Sequence, residues 1–193
     1  MKNNLITNLL FFILIFFNFL KVNSDELKFE ATFIEIIDKD KIVIVKDGVK
    51  ILAEDEIEID ADQMKYNKEE NFLDASGNII IKHKTKNIEI NSNNVFYDRN
   101  DEKIVSSGNV TIKFEDDYTL KTDEIIFFKT SNEILINDLS KIKDKFQNEI
   151  EFEKLNYNLN DKLLKGKRVK LLDVEKNFYN FDTAIIDFSK NQI

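Results

Sequence analysis

The chain has 193 residues, of which 28 are Lys or Arg and 36 are Asp or Glu, and it contains no Cys, Pro or Trp. A net charge of −8 disfavours nucleic-acid binding, which rests on clustered Lys and Arg, and the absence of Cys excludes disulfides and cysteine nucleophiles. The length suits one domain with a core, and the absence of Pro suits continuous antiparallel sheet.

The N-terminus has the three-part build of a secretory signal. Lys2 supplies a positive charge, Leu9–Phe17 is an apolar run, and Val22–Ser24 ends in a small residue before Asp25. We predict a cleaved signal at residues 1–24 and a mature domain at residues 25–193. A retained membrane anchor is the alternative, although the apolar run is shorter than the about 20 residues of a bilayer span.

The first predicted strand after the signal is Glu26–Ile37. A turn at Asp38–Lys41 and a return strand from Ile42 follow it. Asp47–Gly48 is a strong turn dipeptide, so we predict a second chain reversal there.

The clearest unit of the sequence is Ile57–Ile81. Apolar residues alternate with acidic ones at its start, as in a strand with one buried face, and the apolar phase then slips by one residue. This slip predicts a bulge near Asp62–Gln63. The polar run Asn67–Asn71 predicts a turn, and Gly77–Asn78 predicts a break before another strand.

The same pattern recurs at a fixed period along the mature chain. With Tyr66 as the anchor of its unit, equivalent apolar anchors fall at 36, 66, 97, 127, 157 and 186, which are 29 to 31 residues apart. Such a period marks a repeat architecture. In the later units we predict a reversal at Asn137–Asp138 and a loop at Lys143–Asn148.

The repeats predict an all-β fold. Each unit can pair with the next, so two twisted antiparallel sheets would face each other with the anchor side chains between them. This arrangement is open and leaves one unpaired edge strand at each end.

Two copies of one motif carry a family resemblance. The order Ala-Asp or Ser-Asn, then Met or Val, then Tyr, a polar turn and Ser-Gly-Asn occurs in Ala61–Tyr66 with Ala75–Ile79, and again in Ser92–Tyr97 with Ser106–Val110. This resembles the OstA-like (organic-solvent-tolerance) N-terminal domain of the periplasmic lipopolysaccharide-transport (Lpt) family. Two alternatives stay open, the N-terminal domain of the outer-membrane lipopolysaccharide-assembly protein and a free-standing periplasmic bridge protein.

The resemblance implies a twisted open β-jellyroll whose interior holds the acyl chains of lipopolysaccharide. It implies non-enzymatic lipopolysaccharide binding and transport across the periplasm towards the outer membrane. The inward residues either pack a core, as most inward aromatics do, or line a groove for lipid. The alternative function is a purely structural assembly or adaptor domain that binds other β-jellyroll domains and no lipid. The predicted lipid-binding residues are Ile59, Met64, Tyr66, Ile90, Val95, Tyr97, Leu120, Ile125, Phe127, Phe152, Leu155 and Tyr157.

The edge strands predict protein partners. Neither Leu27–Ile36 nor Ala184–Phe188 carries the Pro or the inward charges that commonly block edge pairing. We therefore predict β-augmentation with other Lpt-type β-jellyroll domains, with an outer-membrane barrel as a further candidate partner. The predicted partner-edge residues are Phe29, Ala31, Phe33, Ala184 and Ile186.

No pattern in the sequence indicates catalysis, a metal site or a cofactor. There is no Gly-rich phosphate loop and no GxSxG, and one histidine cannot build a His-based triad or a two-histidine zinc site. His83 stands between two lysines at a strand end, where we predict an exposed side chain. The basic run Lys162–Lys170 is interpreted as a solvated turn between strands.

Overall fold

The structure is a computed structural model that describes residues 27–53, 57–115 and 117–190. The predicted signal and its cleavage site lie outside the described residues. These residues form fourteen β-strands and one short 3-10 turn. The strands are β1 (Lys28–Ile37), β2 (Ile42–Ala53), β3 (Ile57–Ala61), β4 (Gln63–Asn67), β5 (Phe72–His83), β6 (Ile88–Asp98), β7 (Lys103–Phe114), β8 (Tyr118–Phe128), β9 (Glu133–Ile136), β10 (Ser140–Lys143), β11 (Glu149–Phe152), β12 (Lys154–Asn158), β13 (Leu163–Leu172) and β14 (Phe178–Asp187), and the 3-10 turn is Phe188–Lys190.

The strands form one antiparallel meander. β3 and β4 are two halves of one bent strand, as are β9 and β10, and β11 and β12, because both halves pair with the same neighbouring strands. Each long strand therefore pairs with the strands before and after it in the chain. This confirms the predicted all-β fold of antiparallel repeats.

Each long strand bends near its middle, and the bends of neighbouring strands are aligned. The pairing of β5 with β6 breaks between Ser76 and Ile79, and similar breaks follow in the next two pairs. Hydrogen bonds join neighbouring bends, from the Gly48 N–H to the Asp62 carbonyl (2.8 Å) and from the Asp62 N–H to the Gly77 carbonyl (3.0 Å). Because bulges kink a sheet, this row of corners folds the sheet onto itself.

The corner row divides the sheet into two layers with an apolar interior between them. Layer one contains β3, β10, β11 and the halves of the long strands aligned with them, and layer two contains β4, β9, β12 and the other halves. The layers cross at an angle, as twisted sheets do. Phe114 at the end of β7 in layer one therefore contacts Tyr157 of β12 in layer two, with 5.3 Å between ring centroids.

Three predicted breaks are corners inside strands. Asp47–Gly48 lies within β2 and Gly77–Asn78 lies within β5, so the predicted reversal at the first and the new strand after the second are wrong. Asn137–Asp138 separates β9 from β10, but both pair with β8, so the chain does not reverse there either. A left-handed Gly step serves a bulge as well as a turn. The predicted bulge near Asp62–Gln63 is confirmed, since β3 ends at Ala61 and β4 begins at Gln63.

Gly166 has a different cause. Its φ is not positive, and a Cβ at this position would overlap the ring of Phe152. The space that Phe152 occupies therefore accounts for glycine here. The interpretation of Lys162–Lys170 as a turn is also wrong, because Leu163–Leu172 is strand β13 and its exposed lysines alternate with inward residues.

Candidate functional site

The inner face of the sandwich holds the predicted lipid-binding residues. The structure places all twelve of them between the two layers, and each is buried. The repeat brings them together because successive side chains of a strand alternate between its two faces. Whether these residues bind lipid stays a prediction.

Little space remains between the layers. The cavity between the layers, towards the side away from the corners, has a volume of about 20 Å³, and isoleucines from both layers line it, together with Ser106, Phe127 and Leu159. One water needs about 10–15 Å³ measured in this way, so the cavity has room for one water molecule. Among the described residues, this cavity is too small for an acyl chain.

A cluster of four aromatic rings fills the interior beside this cavity. Phe188, carried by the 3-10 turn after β14, stands nearly perpendicular to Phe114 (5.5 Å between centroids, 90°) and to Tyr157 (5.8 Å, 85°). Its centroid lies 4.9 Å from that of Tyr118. Edge-to-face pairs of this kind are favourable beyond the area they bury. The cluster joins the ends of β7 and β8 in layer one to β12 and the last turn.

The hydroxyl of Tyr157 is tied to a charged group from the other layer. It donates to Oε1 of Glu115 (2.8 Å), whose Oε2 pairs with Nζ of Lys162 (2.6 Å). Burial, reinforced by the hydrogen bond to the Glu115 carboxylate, raises the pKa of Tyr157 far above its ordinary value. With the hydrogen bond from Lys86 Nζ to Asn160 Oδ1 (2.8 Å), these contacts link the two layers at the side away from the corners.

Two other inward tyrosines accept hydrogen bonds from basic side chains that lie about one repeat later in the chain. Nη1 of Arg99 donates to the hydroxyl of Tyr66 (3.0 Å), and Nζ of Lys129 donates to the hydroxyl of Tyr97 (3.1 Å). Buried tyrosine hydroxyls commonly find such a partner. The phenol rings therefore face the interior while their hydroxyls reach the polar rim of the sandwich.

A few buried hydroxyls interrupt the apolar interior near the corners. The Oγ atoms of Ser106 and Ser92 are 2.6 Å apart, and Ser92 in turn donates to the Asn94 carbonyl. Ser140 is buried, and its Oγ has no hydrogen-bond partner among the residues that the structure describes. The alternation of the sequence marks these serines as inward but does not reveal their pairing.

The two terminal strands of the described sheet are edges. β1 pairs only with β2, and β14 pairs only with β13, among the described strands. The structure places the five predicted partner-edge residues on these strands, but in different settings. Phe33 is exposed on the outer face, and Ile186 is buried on the inner face. Phe29, Ala31 and Ala184 are inward and partly buried against the core.

Sequence reasoning missed the most unusual residues of the edges. Ile34 and Ile36 of β1 lie opposite the buried Val45 and Val43, so they share the inner face, yet they are exposed. Tyr179 and Phe181 of β14 likewise lie on the inner face and are exposed. Ile36, Ile34 and Ala31 occupy apolar positions of the repeat. Only the crossing of the layers shows which of these positions have no opposite layer to bury them.

The described residues hold no group of His, Cys, Asp or Glu that could bind a metal ion, and none of their helices is long and apolar enough to cross a membrane. His83 ends β5 as predicted, but it is half-buried rather than exposed, because its ring lies at the wall of the interior cavity. Its register partner is Ile57, an inward residue, which explains this position.

No family model matches this chain, and no curated protein does. Among solved structures, the chain is similar to the crystal structure of LptH, the LptA homologous periplasmic component of the conserved lipopolysaccharide transport device from Pseudomonas aeruginosa. The two sequences are 15% identical, the match covers 81% of this chain and 94% of that one, and the TM-score is 0.43. A likeness at this distance does not establish a function.

Proposed function

We propose that this protein binds lipopolysaccharide and passes it across the periplasm towards the outer membrane, with the acyl chains held between its two layers. One observation carries the proposal: the inner face is largely apolar from β1 to β14 and opens to solvent on both edge strands, at Ile34 and Ile36 and at Tyr179 and Phe181. Exposed apolar surface of this kind commonly marks a binding site.

The chemistry of the interior suits a lipid chain. Each methylene removed from water contributes about 0.8 kcal/mol, so acyl chains can bind without specific polar contacts. The closed interior must open first, and the links between the layers set the cost. These include the Glu115 contacts with Tyr157 and Lys162 and the Lys86–Asn160 hydrogen bond, all at the side away from the corners. Opening the layers would break these contacts and part of the apolar packing between the layers, while the corners keep the sheet joined.

The second candidate is a purely structural assembly or adaptor domain that binds other β-jellyroll domains and no lipid. The filled interior favours it, because a cavity of about 20 Å³ has no room for a chain in the closed state. The two candidates differ in whether the interior opens to lipid.

Photo-crosslinking to lipopolysaccharide separates the candidates. A photoreactive residue replaces inward Tyr97 or Phe127, and outward Glu58 or Lys65 serves as the matched control. The proposal predicts adducts from the inward positions and few from the controls. Adducts from Glu58 or Lys65 alone would contradict lipid binding between the layers and favour the structural candidate.

We further propose that the edges join this domain to other β-jellyroll domains by strand pairing. The upstream carrier would meet β1, and an outer-membrane barrel or a further copy would meet β14. The uncovered halves support this, because Ile34 and Ile36 lie in layer two and Tyr179 and Phe181 lie in layer one. When β14 of one domain pairs with β1 of the next, the exposed inner face of β14 in layer one would face the exposed inner face of β1 in layer two, so the two would cover each other.

The edge joint is tested by trapping and by proline. A photoreactive residue at exposed Phe33 should crosslink the neighbouring domain, and Ile36→Pro should abolish the joint while most of the domain stays folded. Lipid transfer at the wild-type rate by the folded Ile36→Pro protein in a reconstituted bridge would refute the edge joint. Export by a cleaved signal is tested separately, since the periplasmic protein should begin at Asp25.

A further inference from the structure

The ring of Phe188 fills a slot between the two layers. Three aromatic residues form the slot, Phe114 and Tyr118 from layer one and Tyr157 from layer two, and their centroids lie 4.9 to 5.8 Å from that of Phe188. Phe188 belongs to no strand of the sandwich. It follows β14 on the short 3-10 turn and reaches the interior from the side of that edge.

The slot lies beside the interior cavity. Phe114 lies opposite Ile88 in the pairing of β6 with β7, and Ile88 lines the cavity. Leu159, two residues after Tyr157, lines it as well. The Phe188 ring therefore packs against two residues that neighbour the cavity wall, and its backbone directly follows the edge strand β14.

The turn that carries Phe188 makes most of its polar contacts within itself. The carboxylate of Asp187 accepts a hydrogen bond from the Ser189 N–H (3.0 Å) and pairs with Lys190 (3.0 Å), so these contacts are local to the turn. The turn is tied to the sandwich by the hydrogen bond from the Phe188 N–H to the Lys162 carbonyl (3.0 Å) and by the ring itself. Phe188 takes no part in the pairing of β13 with β14, whose last pair is Leu163 with Asp187.

We propose that Phe188 is a displaceable plug that occupies the place of one acyl chain and leaves it when lipid enters from the β14 edge. This inference rests on the proposed function. The exchange replaces one apolar group by another in a slot lined by aromatic rings, so the burial lost by the ring is regained by the chain. The plug keeps the interior closed and the aromatic slot dry in the absence of lipid.

Binding of a fluorescent fatty acid, cis-parinaric acid, to the exported protein tests the plug. If the open form is a minor state of about 10% or less, removal of the ring in Phe188→Ala should tighten binding about tenfold or more. Phe152→Ala is the matched control, because Phe152 is another buried interior phenylalanine. An equal gain in Phe152→Ala would mean that any cavity suffices, and it would overturn the plug.

A second measurement reports on the plug in the otherwise unaltered protein. 4-Fluorophenylalanine at position 188 gives one ¹⁹F signal, whose broadening by a soluble paramagnetic agent reports the exposure of the ring. The plug predicts that this ring becomes exposed on saturation with cis-parinaric acid or lipopolysaccharide. If lipid crosslinks at Tyr97 while the ring stays shielded, the plug is wrong and the proposed function stands. If neither lipid binds any variant, both are wrong.

Discussion

The middle of the sandwich and its two edge strands use the same inward positions with opposite results. Tyr97 and Ile36 are both anchors of the repeat, yet Tyr97 is 2% exposed and Ile36 is 53% exposed. Both residues follow the alternation of side chains along their strands, and both lie on the inner face. What differs is whether the other layer lies across from them.

This difference shows that alternation sets the face of a residue but not its burial. Burial requires an opposite layer, and because the layers cross, β1 and β14 each extend one half beyond that cover. An apolar residue on an uncovered inner face adds little to the stability of the isolated domain. Its apolar character then suits a contact made outside the domain, with lipid or with another sheet.

The largest expected effect separates two phenylalanines on the inner face. Phe152→Ala, in the middle, should lower the free energy of unfolding by about 3–5 kcal/mol, because a fully buried ring leaves a cavity. Phe181→Ala, which is half exposed on β14, should lower it by about 1 kcal/mol or less. Urea unfolding followed by circular dichroism measures both. Equal losses would mean that β14 is covered in the isolated protein, contrary to the comparison.

A second comparison uses two corner glycines with positive φ, Gly48 next to the edge (φ 96°) and Gly77 in the middle (φ 80°). Alanine at either site should cost about 1–2 kcal/mol for the left-handed backbone. At Gly77 the added Cβ would also lie 2.9 Å from Cβ and Cγ of Asp62, which should add about 1–3 kcal/mol. No atom of the described residues lies within 4 Å of a Cβ at Gly48. Thermal unfolding of both variants checks the order, and a larger loss for Gly48→Ala would contradict it.

The sequence predicted the inner face well, because alternation is a local property. The slip at Asp62 was visible for the same reason, since it shifts the apolar phase by one residue. The choice between corner and reversal at Asp47–Gly48 was not visible. Both need the same left-handed step, and only the pairing of β2 with β1, which continues on both sides of the bend, decides between them.

Features that depend on contacts between the layers could not be predicted. Gly166 stands where the Phe152 ring needs space, and the two are 14 residues apart in the chain. The exposure of Ile36 and the aromatic slot around Phe188 both depend on the angle at which the layers cross. Twist determines that angle over the whole sheet, and no short pattern in the chain encodes it.

Alkaline pH distinguishes a tyrosine of the interior from one of the edge. The raised pKa of Tyr157 means that its neutral form stabilises the fold below about pH 10, the ordinary tyrosine pKa, and that this contribution is lost as the pH rises further. Tyr157→Phe should cost about 1.5–3 kcal/mol at pH 7 for the lost hydrogen bond to a charged acceptor, and its deficit should shrink above pH 10.

Some alkaline loss should remain in Tyr157→Phe, because burial also raises the pKa of Tyr118. Tyr179→Phe on the exposed half of β14 is the matched control. Its urea midpoint should equal that of wild type at pH 7, and it should fall above pH 10 as much as that of wild type does. Urea midpoints between pH 7 and pH 11 measure the three proteins. A deficit in Tyr157→Phe that is constant with pH would rule out the assigned role of burial.

The smallest expected effect concerns ion pairs on the outer faces. In the middle of layer one, Lys141 pairs with Glu149 (3.4 Å) and Glu151 (3.1 Å), whereas at the edge Lys46 lies 3.9 Å from Glu35. The hydrogen bond and charge of Lys141 lower the pKa of Glu149. Their stabilisation is therefore present above the ordinary glutamate pKa of about 4.3 and is lost as the pH falls through the lowered value.

Lys141→Gln should thus be slightly less stable than wild type at pH 7 and equal to it at pH 2. Lys46→Gln should match wild type at both pH values, because exposed and loosely placed charges contribute little. Urea midpoints at the two pH values decide this, and a pH-dependent loss in Lys46→Gln as large as that in Lys141→Gln would show that the edge pair is as well ordered as the middle one.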